Sequence, residues 1–162
     1  MSSIILNKSP VIILFLIFSF FSNNTYSQTT KGNTLKIIHT KIFVNDQDKA
    51  LNFYTEILGF IKKSEVSKDD YRWLTVVSPE NQNGTELILE KNDNPAAKAY
   101  QEAIYNQGTP VTMFGIEDIN AEYERLKAKG VKFKMEPTDI GPAIIAIFDD
   151  TCGNLIQISQ FN

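Results

Sequence analysis

A chain of 162 residues holds one ordinary domain with a substantial core, or two very small ones. Its net charge of −3 and the lack of any basic cluster make nucleic acid a poor partner, because phosphates require grouped Lys and Arg. The one cysteine, Cys152, excludes an internal disulfide, so the fold must rest on its core.

The first 27 residues differ in kind from the rest. Lys8 is their only charge, and Val11 to Phe21 is apolar apart from Ser19, before a polar stretch that ends Thr25-Tyr26-Ser27. A membrane-spanning helix needs about 20 apolar residues, and this run is barely half that. The layout is that of a secretory signal peptide over residues 1–27, cut between Ser27 and Gln28. Export to a periplasmic or extracellular space is expected, with no membrane association once the signal is removed. No cysteine stands near the cut to carry a lipid. Residues 28–35 are read as a disordered leader.

From Leu35 to Val44 the pattern alternates as a strand, with Ile38, Ile42 and Val44 on one face and His39, Lys41 and Phe43 on the other. Asp46 is a helix N-cap, and Ala50, Phe53, Tyr54, Ile57 and Leu58 follow at helical spacing up to Gly59. Strands are expected over Phe60–Val66 and Tyr71–Val77, separated by the polar turn from Ser67 to Asp70. After the turn Pro79–Gly84, the segment Thr85–Glu90 sets Leu87 and Leu89 against Glu86, Ile88 and Glu90. Asn94-Pro95 starts a linking helix that runs to Gly108.

The order then repeats. A strand Val111–Ile116 leads to a helix from Asp118 to Lys129 closed by Gly130, then to strands Val131–Met135, Ala143–Phe148 and Leu155–Ser159. Pro137 and Gly141-Pro142 mark an intervening loop, and Asp150 to Asn154 is a tight turn. Val111 precedes Asp118 by seven residues, as His39 precedes Asp46, so the two copies match in register. The domain therefore spans 36–160, as repeats 36–91 and 110–160 joined by a helical linker over 94–108.

This doubled unit resembles the vicinal oxygen chelate superfamily, which includes glyoxalases, extradiol dioxygenases, fosfomycin thiol transferases and bleomycin-resistance proteins. The residues that carry the resemblance are His39 with Asp46, Phe53-Tyr54-Thr55-Glu56 through Leu58-Gly59-Phe60, Asp118 to Gly130, and Asp150 through Gly153-Asn154. It implies an α+β fold of two βαβββ repeats, each a curved half-barrel around a cleft. Metal-dependent members hold a divalent ion there with His and Glu ligands, leaving positions open for substrate oxygens. His39 matches the first such ligand, Val111 stands at its counterpart in the second half, and Gln157 matches the last-strand ligand. The first-half counterpart of Gln157 stays open between Ile88, Glu86 and Glu90. The best metal set is His39, Glu90 and Gln157, with Glu86 as the alternative to Glu90, so the cofactor is either none or a single divalent ion.

His39, the only histidine, also reads as a pocket-lining residue, and Glu86 and Glu90 as solvated strand residues. Phe43, Tyr71, Trp73, Met113 and Phe148 are candidates to line a cleft for a flat ligand, although aromatic residues at strand spacing more often form core. Phe43 and Met113 share the phase of His39 and Val111. The cleft set is thus His39, Phe43, Trp73, Glu90, Val111, Met113 and Gln157, and no catalytic residue is assigned. Cys152 has no basic partner nearby in sequence and is not read as a nucleophile. Three functions are compatible with these residues. The first is an exported small-molecule-binding protein with a degenerate metal site, its ligand a flat aromatic compound. The second is a metal-dependent lyase, isomerase, dioxygenase or transferase. The third is a homodimeric interaction module whose cleft is filled by its own side chains.

Overall fold

A computed structural model describes residues 34–162 of the chain. The signal peptide read over 1–27 and most of the leader fall outside the described residues. Residues 36–162 form one compact unit. Its elements are β1 (His39–Val44), α1 (Gln47–Asn52), β2 (Ile61–Lys68), β3 (Tyr71–Val77), β4 (Glu86–Lys91), α2 (Pro95–Asn106), β5 (Thr112–Gly115), α3 (Ile119–Ala128), β6 (Phe133–Asp139), β7 (Ala143–Asp149) and β8 (Leu155–Phe161). The strands form two sheets of four, ordered β1-β4-β3-β2 and β5-β8-β7-β6, which do not close into a barrel. In each, the first and last strands of the repeat pair in parallel and the other neighbours are antiparallel. This is the α+β arrangement of two βαβββ repeats that the sequence implies.

Local chemistry accounts for the helix starts. The Asp46 carboxylate accepts from the N–H groups of Asp48 and Lys49, and Asp118 accepts from that of Ala121. Beyond Asn52 the first helix widens into a π-helical turn, Phe53–Ile57, in which Leu58 N donates to Phe53 O at 3.0 Å. Both Phe53 and Tyr54 are buried there. The single helix expected up to Leu58 is therefore an α-helix followed by a π turn.

One core serves both repeats. Ile42, Val44, Leu87 and Leu89 from the first sheet, Ala50, Phe53 and Tyr54 from the first helix, and Ala146, Phe148, Ile156 and Ile158 from the second sheet belong to a single buried cluster. The Phe53 and Phe148 rings lie 6.3 Å apart, those of Phe60 and Phe114 5.0 Å apart. Arg125 of α3 donates to Ile57 O at 2.9 Å. Helix α2 bridges the halves through Gln101, whose amide donates to Phe43 O (2.7 Å) in the first repeat and to Cys152 O (3.1 Å) in the second.

Three expectations change. Phe148 is fully buried between Phe53 and Phe133, and so belongs to the core and not to the cleft. Pro137 lies inside β6 instead of in a loop, because β6 is an edge strand and the pairing slips between Met135 and Thr138, where a residue without an N–H is tolerated. Pairing of β1 begins only at His39, opposite the first residue of β4, so Ile38 is 58% exposed and does not join the core face.

Candidate functional site

Residues paired across parallel strands point to the same face, so register decides which side chains can meet. In the first sheet His39 pairs with Glu86, Lys41 with Ile88 and Phe43 with Glu90. These residues share the face opposite buried Ile42, Val44, Leu87 and Leu89. Around His39 they build a small polar and aromatic cluster. His39 Nε2 lies 3.8 Å from Glu86 Oε2, and its ring meets the edge of Trp73 at 5.2 Å and 82°. The Thr75 hydroxyl donates to Glu86 Oε2 at 2.6 Å and itself accepts from Ser64 N, so the carboxylate is held in place from β3. His39 stays one third exposed and Glu86 one fifth, so the pair is partly open to solvent.

Glu90 stands apart from this cluster. Its carboxylate lies 3.8 Å from Lys41 Nζ. A strand advances about 3.3 Å per residue, which sets the Glu90 backbone about 13 Å beyond that of Glu86. The two side chains able to meet at one point are thus His39 and Glu86.

The second sheet presents different chemistry in the equivalent places. Counted back from the two N-caps, Met113 corresponds to Lys41, and their register partners Gln157 and Ile88 correspond in turn. The Gln157 amide donates to Ser159 Oγ at 3.0 Å and lies 3.3 Å from Met113 Sδ. Val111 joins Phe43, Lys41 and Tyr100 in lining a hollow of about 200 Å³ where the edges of the two sheets approach. Among the described residues, no group of three or more His, Cys, Asp or Glu side chains converges so as to hold a metal ion. One imidazole and one carboxylate meet on the first sheet, while the second sheet carries a valine, a thioether and an amide on or beside its first and last strands, a set that falls short of the usual three-ligand catalytic site.

Met113 is half exposed and Trp73, Phe43, Val111 and Gln157 are partly buried, with Tyr100 of α2 beside Phe43 and Val111, while Tyr71 is half exposed at the strand end. Thr75, which fixes Glu86, was not among the sequence candidates. It lies two residues from Trp73 and shares its phase, a signal usable only once the inward face of β3 is known.

Behind the site, a buried polar network closes the turn after β7. Asp150 Oδ1 accepts from the N–H groups of Cys152 (2.8 Å) and Asn154 (2.9 Å), and Oδ2 accepts from the Tyr54 hydroxyl (3.1 Å) and the Asn154 amide (2.7 Å). Burial pushes the Asp150 carboxyl above the usual carboxylate range despite these donors. Burial, reinforced by the charge of Asp150, pushes the Cys152 thiol from its ordinary 9.0 up to about 12 and raises the Tyr54 phenol as well. Cys152 is therefore an inert core residue, as its lack of basic neighbours in sequence suggests, because burial outweighs the opposing charge of Lys49.

The Glyoxalase/Bleomycin resistance protein/Dioxygenase superfamily profile matches residues 36–158, and the chain belongs to this superfamily. Within it, the chain is 62% identical over 126 residues to the uncharacterized protein YurT of Bacillus subtilis (strain 168), a match covering 78% of this chain and 99% of that one. It is 29% identical over 129 residues to a probable lactoylglutathione lyase of Synechocystis sp., covering 76% and 94% of the two chains. The crystal structure of TnmS3, an antibiotic binding protein from Streptomyces sp. CB03234, superposes with a TM-score of 0.64 at 25% identity, over 80% of this chain and 98% of that one.

Proposed function

We propose that this chain is an exported binding protein that takes up a small, flat aromatic molecule in its cleft, with a metal site that has degenerated. The observation that carries the reading is the pairing of an aromatic and polar cluster, His39, Trp73 and Glu86, with a second sheet that offers Val111, Met113 and Gln157 where a metal enzyme needs charged donors. The likeness to an antibiotic binding protein supports it. A homodimer suits the open face of the second sheet, since Met113 leaves 52% of its surface uncovered in the single chain.

Trp73 is the only tryptophan, so selectively excited tryptophan fluorescence reports this site. Titration with a panel of flat aromatic antibiotics is expected to quench it saturably, and His39→Ala to weaken the response. Elemental analysis is expected to find no stoichiometric divalent metal, sedimentation to give twice the chain mass, and mass spectrometry of the exported form an N-terminus at Gln28. A bound ion that disappears in His39→Ala, with no quenching by any aromatic compound, would sink the binding reading.

The contact of His39 with Glu86 favours a second reading, a metal-dependent lyase, isomerase, dioxygenase or transferase. That reading requires His39→Ala to abolish metal content and turnover together.

A further inference from the structure

Glycine in a strand is unfavourable without a reason, because it loses the most backbone freedom on folding and offers no side chain to pack. Six of the seven described glycines have one. Gly59, Gly108, Gly130, Gly141 and Gly153 adopt positive φ, and a Cβ on Gly84 would lie 2.7 Å from the Asn81 amide nitrogen. Gly115 has neither reason. Its φ is not positive, it pairs in register with Ser159, and a Cβ placed on it would meet nothing within 4 Å. Its counterpart in the first repeat, three residues before the N-cap in each case, is Phe43. The duplicated fold thus carries a large ring at this position in one half and no side chain in the other.

The space above Gly115 belongs to an open hollow of about 580 Å³. Ser159 and Phe161 of β8 line it beside Gly115, together with Glu80 from the loop before β4 and Glu117 from the turn before α3. Both charged residues lining it are acidic. Phe161 is 69% exposed, an uncovered ring at the margin of the hollow.

We infer that Gly115 is a specificity residue, kept bare so that a flat organic cation can lie against the β5 backbone, with Phe161 alongside its ring and Glu80 and Glu117 facing its charge. A missing Cβ lets a planar ring approach the peptide plane, aromatic contact favours a flat body, and carboxylates without a cationic partner among the lining residues select the positive charge. This rests on the reading of a small-molecule cleft and adds to it a residue and a ligand charge that the reading does not specify.

The test uses the full chain and two dyes of similar size, cationic proflavine and anionic anilinonaphthalene sulfonate, followed by fluorescence anisotropy. Proflavine is expected to bind in preference to the anion. Gly115→Val should weaken it about tenfold or more and Gly115→Ala by less, since valine adds three carbons and alanine one to a fitted site. A Glu80→Gln, Glu117→Gln double variant should lose the preference for the cation. The melting temperature of both Gly115 variants should hold or rise by about 2 °C, since the strand gains a better residue. The inference is overturned if Gly115→Val binds proflavine as the parent does, if the two dyes bind alike, or if both Gly115 variants melt several degrees lower, which would make the glycine a packing requirement. It also fails if Gly115→Val sediments as a smaller species than the parent, because the hollow would then seat a second copy. Binding of neither dye, with no quenching of Trp73 by any aromatic compound, would remove the cleft reading itself.

Discussion

At the scale of single residues, burial separates the groups that hold the fold from those left partly open to solvent. Cys152 and Tyr54 both have folded-state pKa values above their unfolded ones. Each therefore contributes stability that is fully present below its unfolded pKa and is lost as pH rises toward the folded value. Unfolding free energy should fall above about pH 9, and Cys152→Ala should flatten part of that slope in urea titrations run across the alkaline range. The same burial should leave the native thiol unreactive toward Ellman's reagent at pH 8, with full reaction after denaturation. Asp150 offers a sharper case. Two oxygens accept four hydrogen bonds, and Asn keeps only one acceptor oxygen, so Asp150→Asn should cost about 2 kcal/mol by chemical denaturation. The inert character of Cys152 was legible from its neighbours in sequence, whereas the donors around Asp150 come from positions as far off as Tyr54 and were not.

At the scale of elements, the turn from Asp149 to Asn154 holds both strain and its relief. Thr151 has φ 61°, a conformation that β-branched residues seldom adopt, and its N–H donates to Asp149 Oδ1 at 2.6 Å. Thr151→Asn should stabilise the protein by about 1 kcal/mol, measured by thermal unfolding, because Asn tolerates this region. Gly153→Ala should do the opposite. Its φ is 100° and its added Cβ would lie 2.8 Å from the Gln101 amide nitrogen, which already binds Phe43 O and Cys152 O. A loss of more than about 1 kcal/mol is expected from strain and from the disturbed network. That Asp150 to Asn154 is a tight turn could be read directly. That Pro137 sits in a strand could not, since only the edge position of β6 and its slipped pairing make a proline acceptable there.

At the scale of the molecule, the two repeats share one buried cluster, and neither closes its own core. Trp73 reports the first repeat alone, while far-ultraviolet circular dichroism averages over both. The two signals should therefore follow a single urea transition, and residues 36–91 produced alone should remain unfolded. Separate transitions would show that the shared contacts of Phe53 with Phe148 and Phe60 with Phe114 do not couple the halves.

The sequence by itself determined the repeat, the helix starts at Asp46 and Asp118, and the alternation within β1 that turns His39, Lys41 and Phe43 away from Ile42 and Val44, because capping and alternation act over a few neighbouring residues. Only the tertiary structure decided that Glu86, not Glu90, stands beside His39, and that Gly115 lies bare beneath an acid-lined hollow. Those facts depend on the pairing of β1 with β4 and of β5 with β8, strands more than 40 residues apart or on opposite sides of a repeat, whose register no local pattern can set.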